Sequence, residues 1–203
     1  MRKHINQFDK EINNMKGVDS MFKHTDKFGR EINKGGDTMY QIKVVYMAGP
    51  IQHVSGEESK GWREQMTEIL RRNGVETLDP TRNQHLKRFP DGTWDKDAIV
   101  ELDIEDLNIA DLLIAYTPKP SAGTSMEVLY MREVLNKPVF VVCEDLAQLS
   151  PWVEYFACEV FDSFDKLFEV MDKILKGDIK LTVKNTRLRS INEKYVRGVD
   201  QYA

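Results

Sequence analysis

The chain is poor in the residues that mark specialised environments. Only two cysteines occur in its 203 residues. Cys143 and Cys158 lie in or beside apolar strand-like runs, with no CxxC or Cys/His spacing around them. That pattern argues against a disulfide framework or a metal site and for reduced, buried thiols. No apolar run approaches the roughly 20 residues needed to span a bilayer, and the first residues are too polar for a secretory signal. A cytoplasmic protein with no membrane partner is therefore expected. Nor is there an excess of positive charge: the formal net charge is −4, which gives no general attraction to a nucleic-acid polymer.

What is present fits one globular domain with extra segments, since 41% hydrophobic residues can supply an ordinary core. Residues 1–41 read as a polar N-terminal extension carrying an internal echo. Lys3-His4 precedes Phe8-Asp9-Lys10-Glu11-Ile12-Asn13, and Lys23-His24 precedes Phe28-Gly29-Arg30-Glu31-Ile32-Asn33. Two copies are too few for a solenoid. Residues 178–203 read as a basic, solvated C-terminal tail, with Lys180, Lys184, Arg187, Arg189, Lys194 and Arg197.

Between these segments, residues 42–177 alternate strands and helices. Lys43 to Ala48 is a β-rich run that stops at Gly49-Pro50. A helix fits 57–73, with Trp62, Met66, Ile69 and Leu70 on one face and Gly74 as its stop. Strands follow at 75–78, 111–116 and 139–143, with a helix over 95–110 and another from the 121–127 turn to Leu135. Ser150-Pro151-Trp152 starts a further helix, Glu159-Val160-Phe161 reads as a short edge strand, and Phe164 to Leu175 is amphipathic. Short apolar strands separated by helices predict an α/β protein with a doubly wound sheet of about five mostly parallel strands.

The most informative run is Ser121-Ala122-Gly123-Thr124-Ser125-Met126-Glu127, which follows the strand 111–116 and opens a helix. In open α/β sheets, ligands bind at the carboxyl ends of strands and the first turns of the next helices. Gly123 lets a substrate approach the backbone, and the helix start offers free N–H groups and partial positive charge. Glu127 is then expected to be ionised, as a nucleophile or base. The competing reading is structural, because Thr124-Ser125-Met126-Glu127 is also a capping box that only starts a helix.

The helix over 95–110 adds a second clue. At about 100° per residue, Val100, Leu102, Ile104, Leu107, Ile109 and Ala110 span a broad apolar arc. Asp103 and Asp106 fall inside that arc, while Glu101, Glu105 and Asn108 lie opposite. Two acids thus point toward the protein. Burial raises a carboxyl pKa toward the range where it can donate a proton, unless a cation such as Arg82 pairs with it. An acid of this kind beside an ionised Glu is the arrangement used for glycosidic bond cleavage.

Taken together, Tyr46-Met47-Ala48-Gly49-Pro50, Trp62-Arg63, Asp103-Ile104-x-x-Leu107-x-x-Ala110-Asp111, and Gly123-Thr124-x-x-Glu127 followed by Lys137-Pro138-Val139 resemble the nucleoside 2-deoxyribosyltransferase family. The resemblance runs from about residue 43 to 172. It implies a flavodoxin-like sheet and cleavage of the N-glycosidic bond of a nucleoside or its 5′-monophosphate, with no metal or redox cofactor. By position, Glu127 resembles the family's nucleophile, Asp103 the aspartate that contacts the base, and Tyr46 the tyrosine that orients the glutamate. Gly49, Pro50, Gly123, Thr124 and Asp106 join the substrate-binding set. Ser150 falls near the segment that completes a neighbouring subunit's site, so a homo-oligomer with shared active sites is implied.

One departure bears on the substrate. Transferases of free deoxynucleosides typically carry an aspartate six residues before the nucleophile, where this chain has Ser121. A serine there resembles the related nucleoside 5′-monophosphate N-hydrolases, and a hydroxyl can donate to a phosphate that an aspartate would repel. The arginine that those hydrolases often place after the Gly49-Pro50 position is absent, leaving His53, Ser55 or Lys60 to substitute. A non-catalytic nucleotide-binding or signalling module could also use the Gly123-Thr124 turn. A phosphotransfer receiver needs acidic residues after its first strand, where Ala48-Gly49-Pro50 stands. Phosphoribohydrolases share the Gly-Thr-x-x-Glu turn, but their Pro-Gly-Gly lead-in is missing.

Overall fold

The computed structural model describes residues 38–39, 41–51, 54–82 and 87–183. The N-terminal echo, His53 and the tail from Lys184 onward lie outside the described residues. In chain order the elements are β1 (Thr38–Met39), β2 (Val44–Ala48), α1 (Gly56–Arg72), β3 (Glu76–Leu78), α2 (Lys96–Ile109), β4 (Leu112–Tyr116), α3 (Ala122–Leu129), β5 (Val139–Val142), α4 (Pro151–Phe156), β6 (Glu159–Phe161), α5 (Phe164–Leu175) and β7 (Thr182–Val183). A π-helical turn, Tyr130–Val134, extends α3, so the helix expected to reach Leu135 does so with a widened last turn.

Five strands form one sheet in the order β3-β2-β4-β5-β6, and every pairing is parallel. The chain runs outward from β2 to β3, then returns past β2 to add β4, β5 and β6. Its order reverses between β2 and β4, the crevice where open α/β sheets bind ligands. This is the flavodoxin-like sheet expected from the sequence. β1 and β7 pair antiparallel as a separate ribbon, joining residues from either side of the central alternation.

Side-chain alternation along the strands divides the core in two. Val45, Met47, Leu112, Ile114, Phe140 and Val142 face α1 and α5, where Trp62, Met66, Leu70, Leu167 and Met171 cover them. Tyr46, Ala48, Leu113, Ala115, Val139 and Val141 face α2, α3 and α4, under Leu107, Val128, Met131, Val153 and Phe156. Strands covered on both faces read as nearly continuous apolar runs, which is why these segments stand out in the sequence. Leu181, just before β7, is buried in the first of these layers.

Local chemistry explains the ends of the elements that carry the site. Ser55 and Glu58 exchange side-chain and backbone hydrogen bonds as a capping box for α1, at 3.0 and 2.7 Å. Gly74 takes φ 74° just past its end, the left-handed conformation that stops a helix. Asp111 accepts the N–H groups of Lys43 and Val44 at 2.8 and 3.0 Å, tying the start of β2 to the entry of β4. Lys137 donates to the carbonyls of Leu107, Asn108 and Ala110, closing the C-terminus of α2 where cations are favoured. No helix among the described residues is long and apolar enough to cross a membrane.

Candidate active site

At the point of order reversal, Tyr46 of β2 and Glu127 of α3 meet. The Tyr46 hydroxyl donates to Glu127 Oε1 at 2.7 Å. Tyr46 is completely buried. Burial first, and the Glu127 carboxylate second, push its phenol far above the usual range, so it stays a neutral donor.

Glu127 departs from two expectations. The helix cap is Ser121, not Thr124: Ser121 Oγ accepts from Thr124 N at 3.4 Å and from Thr124 Oγ1 at 3.0 Å. Glu127 is therefore the sixth residue of α3, too far along to close a capping box, and its carboxylate turns to Tyr46. Nor is it held ionised by the helix start. Burial pushes its pKa up to about 7, and Asp103 adds repulsion. The Tyr46 hydrogen bond and the Arg63 and Lys87 cations pull the other way but do not overcome desolvation. Near neutral pH the group is poised between its two states, because a helix dipole acts strongly only within the first turn.

Glu127 and Asp103 are the charged residues in the lining of a cavity of about 600 Å³. The rest of the lining is mainly apolar, including Ile104, Leu107, Met126, Tyr130, Trp152 and Phe156. Apolar walls with a few placed polar groups are the usual make-up of a small-molecule site. Ala122, Gly123 and Ser125, from the first turn of α3, border the same space. No side chain crowds the outer face of Gly123, where a Cβ would meet open space.

The acids of α2 do turn inward, with side chains only 17% exposed at Asp103 and 15% at Asp106. Their helix face is narrower than the predicted arc, because Val100 and Ile109 are exposed. Leu107 and Ala110 bury this side of α2 in the core, and ion pairs satisfy the two acids beside them. Lys87 donates to Asp103 Oδ1 at 2.6 Å, and Arg82 donates to Asp106 Oδ1 at 2.6 Å. Burial raises the Asp103 pKa, with Lys87 opposing. Asp106 is committed to Arg82 and does not border the cavity.

The other expected site residues lie around this centre. Gly49 brings β2 to a tight close: a Cβ there would stand 2.9 Å from Trp62 Cζ2 and 3.2 Å from the Tyr116 carbonyl oxygen. Pro50 lines a second cavity of about 320 Å³ with Trp62, Tyr116 and Lys119. Ser121, Thr124 and Ser150 share a narrow cleft beside Lys119, outside the larger cavity. Ser55 caps α1, and Lys60 is exposed on it.

Two cations received no role from the sequence. Arg63, fully buried, donates to the carbonyls of Met47 at 3.2 Å, Gly49 at 2.9 Å and Ser59, and pairs with Asp79 at 3.4 Å. It thus braces the end of β2. Lys87 sits in a polar loop where a lysine ordinarily reads as solvated, and nothing in its local pattern marks it as buried. Arg63 was legible only as part of the Trp62-Arg63 pair.

With this geometry in view, a family model for nucleoside 2-deoxyribosyltransferase matches residues 45–187. No curated protein matches the sequence. Among solved structures, a conserved protein from Enterococcus faecalis V583 is similar at a TM-score of 0.51 and 17% identity, over 68% of this chain and 100% of that one. A 2-deoxyribosyltransferase from Bacillus psychrosaccharolyticus is similar at a TM-score of 0.50 and 19% identity, over 61% of this chain and 89% of that one. At such identities the structural likeness speaks to the fold, while the sequence match extends over well more than half of the chain. The chain belongs to the nucleoside 2-deoxyribosyltransferase family.

Proposed function

We propose that this protein cleaves the N-glycosidic bond of a (deoxy)nucleoside or its 5′-monophosphate through a covalent glycosyl-Glu127 intermediate. The observation that carries this reading is Glu127 itself: a carboxylate in the lining of an apolar cavity, fixed by Tyr46 at 2.7 Å. Ionised Glu127 attacks C1′ of the sugar as the bond from C1′ to the base nitrogen breaks, passing through an oxocarbenium-like transition state. The bond's electron pair leaves with the base, which Asp103 hydrogen-bonds or protonates. Water or a second nucleobase then attacks C1′ and frees Glu127, giving hydrolysis or transfer.

A phosphate on the sugar would find its donors at the start of α3. Ser121 Oγ accepts from Thr124, which leaves its own proton to give. A homo-oligomer with shared sites fits the cavity rim, where Val100, Met126 and Trp152 are large, apolar and exposed.

The test is incubation with a panel of nucleosides and 5′-monophosphates, with and without an added base, followed by chromatography of the free bases. Glu127→Ala and Glu127→Gln are expected to lose turnover by a factor on the order of 10³ or more while remaining folded. Near-wild-type activity in either would remove Glu127 as nucleophile. Asp103→Asn is expected to slow cleavage and change base preference. A wild-type protein that binds a nucleotide tightly yet releases no base over hours would instead favour a non-catalytic binding module.

A further inference from the structure

Lys87 is the cation that the sequence hid and the fold uses. Its side chain is 6% exposed, although it comes from the polar loop between β3 and α2. Besides Asp103, its ammonium donates to the Pro80 carbonyl at 3.1 Å. The loop around it is built to hold this position. Asp95 N donates to the Lys87 carbonyl at 3.0 Å, and Phe89 N to the Thr93 carbonyl at 2.9 Å. Arg88 lies 3.7 Å above the Trp94 ring and donates to the Gly92 carbonyl at 2.7 Å. Asp95 then caps α2 by accepting from Asp97 N and Ala98 N. One clasp thus fixes both the lysine and the helix that carries its partner.

We propose that Lys87 is a positioning residue for the cleavage site, clamping Asp103 through Oδ1 so that the second carboxylate oxygen serves the cavity, and neutralising one of the two acids there. This rests on the glycosidase reading for its consequence, though not for its measurement. Lining the same cavity, Asp103 and Glu127 repel each other when both are charged. The groups that act on Glu127 are Tyr46 from β2, Asp103 from α2, Arg63 from α1 and Lys87 from the loop. Those that act on Asp103 are Lys87, Asp106 and Arg82. Lys87 belongs to both sets and favours the charged form in each. A neutral residue at this position leaves Asp103 without its charged partner, and Glu127 harder to ionise.

The experiment is a pH titration of the Glu127 carboxyl by NMR in carbon-13-labelled full-length protein, beside the pH profile of kcat/KM for base release. In Lys87→Met and Lys87→Gln the Glu127 midpoint is expected to rise from about 7 by about half a unit or more, roughly a threefold loss of the ionised form on the acid side. The acid limb of kcat/KM should move with it, and Lys87→Arg should restore most of both. Gln keeps a donor for Asp103 without the charge, so it carries the test if Met fails to fold. An unmoved midpoint in a folded neutral variant, with only a lower melting temperature, would make Lys87 structural and overturn the proposal. If the wild type releases no base, the catalytic reading fails, yet the Glu127 midpoint still decides what Lys87 does.

Discussion

Val45 and Met47 point from β2 into a closed apolar layer under α1 and α5, whereas Tyr46, between them, points the other way to Glu127. On the first face the ring pairs Trp62 with Tyr116 and Phe164 with Phe168 fill space among aliphatic side chains. On the second, α2 and the loop before it bring Asp103, Asp106, Lys87 and Arg82 to the edge of the layer, and α3 brings Glu127. The strands are shared; the difference comes from what the covering helices carry. A sheet buried on both faces can thus be purely apolar on one side and carry ionisable groups on the other, because successive side chains alternate across it.

The sharpest way to break this division is to cut into both faces of the same strand. Met47→Ala, in the closed layer, is expected to cost about 2–5 kcal/mol in urea unfolding, the usual range for emptying a packed core site. It should leave the Glu127 titration in place. A shift in that midpoint would mean that the two faces are coupled.

Glu127→Gln should do the reverse and stabilise the protein. The folded pKa of about 7 lies above the ordinary 4.5, so between those values the native state keeps a proton that the unfolded chain has released. Stability therefore falls as pH rises through that window. Removing the acid should give a gain on the order of 1–3 kcal/mol at pH 8 and little at pH 4. An equal gain at both pH values would show that burial does not perturb this carboxyl.

The smallest stability change is expected from Tyr46→Phe, about 1 kcal/mol for one lost hydrogen bond. Its effect should instead appear in the pH profile. The Tyr46 bond favours ionised Glu127, so its loss raises the Glu127 midpoint further and moves the acid limb of kcat/KM to higher pH. An unchanged limb would separate Tyr46 from the reaction.

Local pattern was enough for the elements themselves. The strands are apolar runs because both faces are covered, and Phe164–Leu175 follows its amphipathic period from end to end. The inward turn of Asp103 and Asp106 was legible because helical spacing set them on the same side as Leu107 and Ala110. The breadth of that side was misread, since hydrophobicity alone drew Val100 and Ile109 into it. The start of α3 was open between two residues of the 121–127 run for a related reason. Ser121 and Thr124 both suit a cap, and only the folded backbone shows which hydroxyl accepts the N–H of the other.

From the order of its residues, this chain determined an alternating α/β sheet, the carboxylate that follows the fourth strand, and membership in a family of glycosidic chemistry. Those properties depend on neighbours in sequence, through periodicity, turn chemistry and motif spacing. The tertiary structure alone decided that Glu127 sits near its titration point, that Asp106 and not Asp103 takes Arg82, and that Lys87 reaches Asp103 across sixteen residues. Burial and ion pairing depend on distance in space, and that distance exists only once the sheet has brought the ends of β2, α2 and α3 together.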